Sequence, residues 1–222
     1  MRDGTASPKA WENFRANRDT RDLCLLEQFG LCAYSETLLD ANDLGMHLDH
    51  VRPRSKFPAD TFDHHNLLLS AIDDISFRKL IKRDVFGGHA RSNHYSKSDF
   101  IHPIRPDCQR FFHYASDGRI EPALTLSESN KRKAVYTIAI LNLNAPLLIN
   151  SRRRWLETLE EEIDQLLEMP AALENFAEAE LCLTNNKLRP FHSAVRERFG
   201  ALGERVIRQH CIHITSDHET PL

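Results

Sequence analysis

The chain has 222 residues, 41% of them hydrophobic, and a formal net charge of −3. That length and apolar content can bury a core, which excludes a disordered chain and suggests one large domain or a small domain with a helical extension. No apolar run approaches the roughly 18 residues of a membrane-spanning helix, and Met1-Arg2-Asp3-Gly4 begins no signal peptide, so a soluble, cytoplasmic protein is expected.

From the N terminus, Trp11, Phe14, Leu23, Leu26 and Phe29 recur at roughly helical spacing, and Gly30 follows as a stop. Residues 11–30 therefore read as a helix. Cys32 to Ser35 enters extended structure, and the turn signals Asp40, Asn42, Asp43 and Gly45 lead into a strand from His47 to Val51. Pro53 and Pro58 mark the loop out of it, and Asn66 opens a second apolar strand or turn. Residues 72–86 read as partly helical, ending at Gly87-Gly88, and residues 108–122 read as a hairpin around Asp117-Gly118. Helical patterns follow over 126–143, 150–169, 170–183 and 190–199, punctuated by Pro146, Pro170 and Pro190. The fold class is thus α+β, with an N-terminal helical segment (1–30), a mixed core (31–122) and a helical C-terminal region (123–222).

The segment from Met46 to Ala71 carries the chemistry. Asp49 and His50 adjoin, Val51 and Pro53 follow, and Asn66 comes 16 residues after the histidine. Hydrolysis of a phosphodiester needs a base to activate water and a divalent cation to neutralise developing charge. Neighbours on a strand point to opposite sides, so Asp49 can face a metal and His50 the substrate if the backbone twists there. An imidazole titrates near 6.5 and is a natural base, and it must be held in one orientation by an Asn side chain or a backbone carbonyl, for which Asn66 is the candidate. Further metal ligands should follow Asn66. His89 and Asn93, spaced i, i+4, would share a helical face about 5–6 Å apart at Cβ, with Asp73, Asp74 and His94 as alternatives.

Five cysteines are widely scattered with no C-x-x-C pair, which argues against a disulfide framework or a four-cysteine zinc site. All five read as free buried thiols. The negative net charge is unevenly spread: His47 to His113 holds 11 Lys/Arg against 8 Asp/Glu, and residues 151–222 hold 9 against 13. Phosphate affinity follows the local field, so Arg52, Arg54, Lys56 and Arg91, with Lys82, Arg83 and Lys97, are candidates to hold a nucleic-acid backbone. Arg152-Arg153-Arg154 could touch phosphate, but consecutive residues fan around a helix, and pairing with the Glu160-Glu161-Glu162 run or a protein interface is the preferred reading.

Several separated blocks resemble one family. They are Gln28-x-Gly30-Leu31-Cys32-Ala33-Tyr34-Ser35-Glu36, His47-x-Asp49-His50-x-x-Pro53-x-Ser55, Asn66-Leu67-Leu68-Leu69-Ser70, Pro103-Ile104-x-Pro106-x-Cys108, Phe112-x-Tyr114-x-x-Asp117-Gly118-x-Ile120, and Leu141-Asn142-Leu143-Asn144 with Arg152. Together they resemble the retron-associated HNH family, which includes PtuB, the nuclease subunit of Septu anti-phage defence. The resemblance implies a ββα-metal endonuclease using Mg²⁺ or Mn²⁺ on phage DNA or host RNA such as tRNA. It further implies a PtuA-like ABC/SMC-type ATPase as partner and, in retron versions, a reverse transcriptase with its msDNA. By the same resemblance Asp49 is the metal carboxylate, His50 the general base and Asn66 the orienting Asn. Many HNH proteins brace the motif with zinc on two C-x-x-C pairs. Here Ser35 stands beside Cys32, and Ala71 and Gly87 occupy later positions, so a structural zinc is not expected and packing of Tyr34, Leu67 and Leu69 takes its place. Competing readings are a degenerate assembly or adaptor subunit, docking through the acidic helical half and its stripe Leu156, Leu159, Ile163 and Leu166, and a purely structural His/Asp metal site.

Overall fold

The computed structural model describes residues 8–14, 17–39 and 43–211. Expectations placed elsewhere, among them the turn signals Asp40 and Asn42, lie outside the described residues. Among the described residues the chain is mixed α/β, with eight α-helices and two two-stranded antiparallel sheets. The order is α1 (Pro8–Glu12), α2 (Asn17–Glu27), β1 (Met46–His50), β2 (Leu67–Ala71), α3 (Asp74–Lys79), α4 (Gly87–Arg91), β3 (Phe112–Tyr114), β4 (Ile120–Pro122), α5 (Glu128–Ile140), α6 (Pro146–Leu166), α7 (Pro170–Leu181) and α8 (His192–His210). The single helix read over residues 11–30 is instead two, and the helix that begins at His192 breaks at Gly200 (φ 53°), just past Phe199, before a further helical stretch to His210.

Strands β1 and β2 pair with Asp49 opposite Leu68 and His50 opposite Leu67. Every residue of β2 is buried, as its apolar composition requires, so its backbone must find partners away from water. One edge faces β1. On the other, Gln28 from the end of α2 acts as a side-chain rung: its Oε1 accepts from Leu69 N–H at 2.7 Å and its Nε2 donates to Leu69 O at 3.0 Å. Phe29 (φ 51°) and Gly30 (φ +79°) turn left-handed just beyond that helix and stop it, with Gly30 N–H closing back on Leu25 O at 2.9 Å.

Behind the strands, Gly87 (φ +67°) brings α4 against β2 so closely that a Cβ there would lie 2.6 Å from Ser70 Oγ. Gly88 N–H then donates to that hydroxyl at 3.1 Å. One apolar cluster runs from Cys24 through Leu69, Phe86, Leu148 and Leu156 to Cys211, joining the strands to the C-terminal helices. Leu156 and Leu159 of the amphipathic stripe are buried in that cluster, and Ile163 packs partly against it. The stripe therefore faces the core.

Two expectations about side chains are corrected here. Arg152 is 1% exposed and donates to the Gly118 and Leu143 carbonyls, with its guanidinium over the Phe191 ring, so it braces the β3–β4 turn and is closed to phosphate. Cys182 and Cys211 form a disulfide between the ends of α7 and α8, with Cα atoms 5.3 Å apart, leaving Cys24, Cys32 and Cys108 as free thiols. No helix among the described residues is long and apolar enough to cross a membrane.

Candidate active site

A cleft of about 770 Å³ opens over the end of β1, the loop that follows it, and α4. Asp49, His50, His89, Asn93, Arg54 and Arg91 all line it. Residues 40 positions apart are thus brought together by the α4 glycines resting on β2.

His50 ends β1 with 7% exposure. Its Nε2 lies 2.9 Å from the Thr61 carbonyl, and a carbonyl only accepts, so Nε2 carries the proton and Nδ1 keeps its lone pair. Burial, with the Arg54 charge added, lowers its pKa below the ordinary 6.5, against the opposing pull of the Thr61 bond and of Asp49. Trp11 of α1 meets the imidazole edge-on with ring centroids 4.3 Å apart, and Arg54 lies over the Trp11 ring.

The orienting role expected of Asn66 therefore falls to a backbone carbonyl. Asn66 is fully buried behind the cleft, where Oδ1 accepts from Arg52 N–H at 2.7 Å and Nδ2 donates to the Arg52 and Asp60 carbonyls at 3.2 and 3.0 Å. It cross-links both ends of the loop, and Asp60 immediately precedes Thr61. Its influence on His50 is one step removed.

Asp49 Oδ2 accepts from the Tyr34 hydroxyl at 2.7 Å and from Arg91 Nη2 at 2.8 Å. Burial and the Asp49 charge hold the Tyr34 phenol well above its ordinary pKa, so it remains a donor. Arg91 was expected on nucleic acid, and the structure corrects this. The side chain is 1% exposed and also donates to the Val51 and His50 carbonyls at 3.0 and 2.7 Å. It is a buried strut that sets Asp49 and the end of β1.

His47 was not among the expected site residues. Period-two alternation puts it on the same face of β1 as Asp49, the signal by which it could have been found. Its Nδ1 donates to Ile72 O at 2.6 Å, leaving the Nε2 lone pair free to act as a ligand held by an outer carbonyl. Ile72 has φ 76°, a strained conformation for a β-branched residue. Both His47 Nε2 and the Asp49 carboxylate crowd the point above Gly88, where a Cβ would lie 2.8 Å from the nitrogen and 2.7 Å from Asp49 Cγ.

His89 stacks on Phe77 with centroids 4.4 Å apart and lies 4.2 Å from the His47 ring. Its Nε2 is buried without a hydrogen-bond partner, with Asp74 Oδ1 at 3.7 Å, within ion-pair distance but beyond a hydrogen bond. Burial, then the neighbouring His47, lowers its pKa below 6.5, which favours the neutral His89 ring. The pairing with Asn93 is not made as expected: α4 ends at Arg91 and Ser92 turns at φ 51°, so Asn93 sits exposed on the cleft rim instead of one helical turn along.

Of the alternatives, Asp73 caps α3 by accepting from Ser76 N–H at 2.7 Å, and His94 is exposed with Nδ1 against Arg91 O. Arg54 and Lys56 are exposed on the loop, while Arg52 is tied to Asp60 and Asp63, each at 3.1 Å. The orphaned His89 nitrogen, the His47 lone pair and Asp49 fit a divalent cation in chemistry. Their ligand atoms do not all come within 4.8 Å of one another, as those of Cys24, Glu27 and His64 do among the described residues. Hard cations commonly complete such sets with water and substrate phosphate.

No protein-family model matches the chain. It is 28% identical over 142 residues to the "Retron Vc95 putative HNH endonuclease" of Vibrio cholerae serotype O1 biovar El Tor, a match covering 63% of this chain and 64% of that protein. The chain thus spans less than two thirds of the length of the curated relative it matches. The likeness supports a nuclease of the HNH endonuclease family.

Proposed function

We propose that the cleft is the hydrolytic centre of a metal-dependent HNH endonuclease that cuts phosphodiester bonds, with β1, β2 and α4 serving as its ββα unit. The observation that carries this reading is the tethered, neutral imidazole of His50 beside Asp49. His50 Nδ1 takes the proton of the attacking water. Arg54 and Lys56 attract the phosphate backbone by charge. Asp49, His47 and His89 would hold Mg²⁺ or Mn²⁺, which when bound would neutralise charge on the scissile phosphate and leaving oxygen. Tyr34 and Arg91 keep Asp49 oriented without a search among rotamers. The test is His50→Ala, assayed on supercoiled DNA, single-stranded DNA and tRNA with Mg²⁺ or Mn²⁺: metal-dependent cleavage is lost while the far-UV spectrum and melting temperature stay close to wild type. Cleavage at the wild-type rate removes the assignment.

In the same reading the chain is the effector subunit of an anti-phage complex with a PtuA-like ABC/SMC-type ATPase, and in a retron with a reverse transcriptase and msDNA. The ATPase partner rests on the separated sequence blocks, and the retron in the relative's name favours the retron setting. An ATPase gene beside this one, and co-purification of the two products, tests it. A degenerate adaptor subunit is the second reading, favoured by the spacing of His47, Asp49 and His89 beyond ligand distance. It expects no cleavage by the folded chain with either metal, and no change with EDTA.

A further inference from the structure

Away from the cleft, α2 presents Cys24 and Glu27 one helical turn apart, toward the 3-10 turn His64–Asn66. One ligand atom from each of Cys24, Glu27 and His64 lies within 4.8 Å of the other two. His64 Nε2 faces both Glu27 oxygens, at 3.0 and 2.8 Å. Cys24 is 1% exposed, and its Sγ approaches the Leu67 carbonyl at 3.8 Å, a weak contact for a thiol. A thiol, a carboxylate and an imidazole thus converge from two chain segments 40 residues apart.

We propose that Cys24, Glu27 and His64 bind a Zn²⁺ ion, with water as the remaining ligand. A soft thiolate, an imidazole and one carboxylate are donors that zinc accepts in tetrahedral sites, and three protein ligands leave one position for solvent. Glu27 and His64 are 51% and 41% exposed at the side chain, which supplies the entry path, while Cys24 forms the floor. The thiolate sets this site apart from the cleft, whose donors are two imidazoles and a carboxylate, because soft sulfur selects zinc over Mg²⁺ and Mn²⁺. On binding, Cys24 Sγ releases its proton to solvent, and His64 Nε2 gives up the proton it donates to Glu27, by tautomerisation to Nδ1 or by loss to solvent, and turns its lone pair to the metal. The ion ties α2 to the turn that leads into β2, two residues ahead of Asn66, and so anchors the loop carrying Thr61. No C-x-x-C pair takes part, which is why cysteine spacing gives no hint of it.

The experiment uses the full chain, stripped of metal and titrated with Co²⁺ and then Zn²⁺. A thiolate-to-Co²⁺ charge-transfer band appears, Zn²⁺ abolishes it, and Zn²⁺ raises the melting temperature. C24S loses the band, and E27Q and H64Q weaken Co²⁺ binding by ~10-fold or more, while C32S and the cleft variant H89Q keep the band at wild-type affinity. A band that persists in C24S, or its absence from the folded wild-type chain, overturns the site. Should C24S fail to fold, unchanged Co²⁺ affinity in both E27Q and H64Q overturns it equally.

Discussion

Arg91 Nη2 sits 2.8 Å from Asp49 Oδ2 beneath the cleft, joining α4 to the end of β1. The guanidinium also closes the His50 and Val51 carbonyls at the end of the strand. Removing it takes one of two donors from the partly buried Asp49 carboxylate and leaves two buried acceptors unpaired, at about 1–3 kcal/mol for each buried group without a partner. Against a total stability of about 5–15 kcal/mol, Arg91→Ala is expected to shift the urea midpoint sharply downward. A midpoint within error of wild type would show the arginine to be a surface group after all.

Acid should destabilise the fold through its histidines. The pKa values of His50, His89 and His102 are all lowered, chiefly by burial, with His102 brought to about 4 by burial together with the Arg52 and Arg91 charges. A folded-state pKa below the unfolded value means that the folded chain resists protonation. The stability involved is present above pH 6.5 and is lost as pH falls toward about 4. Melting temperature followed across that window should fall, and His102→Gln should flatten the decline. In the nuclease reading the rising limb of activity has its inflection below 6.5, and Arg54→Gln, which removes a positive neighbour of His50, moves it upward.

Gly88 is a second point of control. A Cβ there would lie 2.7 Å from Asp49 Cγ and 2.8 Å from His47 Nε2, and Asp49 is pinned by Tyr34 and Arg91. Neither neighbour can retreat without losing a hydrogen bond, so Gly88→Ala carries an overpacking cost of about 1–3 kcal/mol. Cleavage should drop by far more than stability, because the added methyl occupies the space between the two ligands. Wild-type cleavage in the folded variant would mean that this space is not used.

Asn66→Ala leaves Arg52 N–H and two loop carbonyls without partners, at about 1–3 kcal/mol for a buried group left unpaired. Since Asn66 reaches His50 through the loop, the variant should also lose activity with an altered pH inflection. A stability loss with an unchanged pH profile would separate Asn66 from the histidine.

Much of this was legible in the linear order of residues. Strand β1, the β3–β4 turn at Asp117-Gly118, the body of α6 from residue 150 and the helix started by Pro170 follow from alternation, turn chemistry and helix periodicity, which act over a few residues. So does the placing of Asp49 beside His50, which adjacency alone ensures. Spatial closure is another matter. That a Thr61 carbonyl holds His50, that Arg91 folds inward onto Asp49, that His47 joins His89 above a glycine, and that Cys24 meets His64 all depend on long-range packing. Whether an arginine faces phosphate or a carboxylate is decided by which group it meets once water is expelled, and no local pattern encodes that encounter.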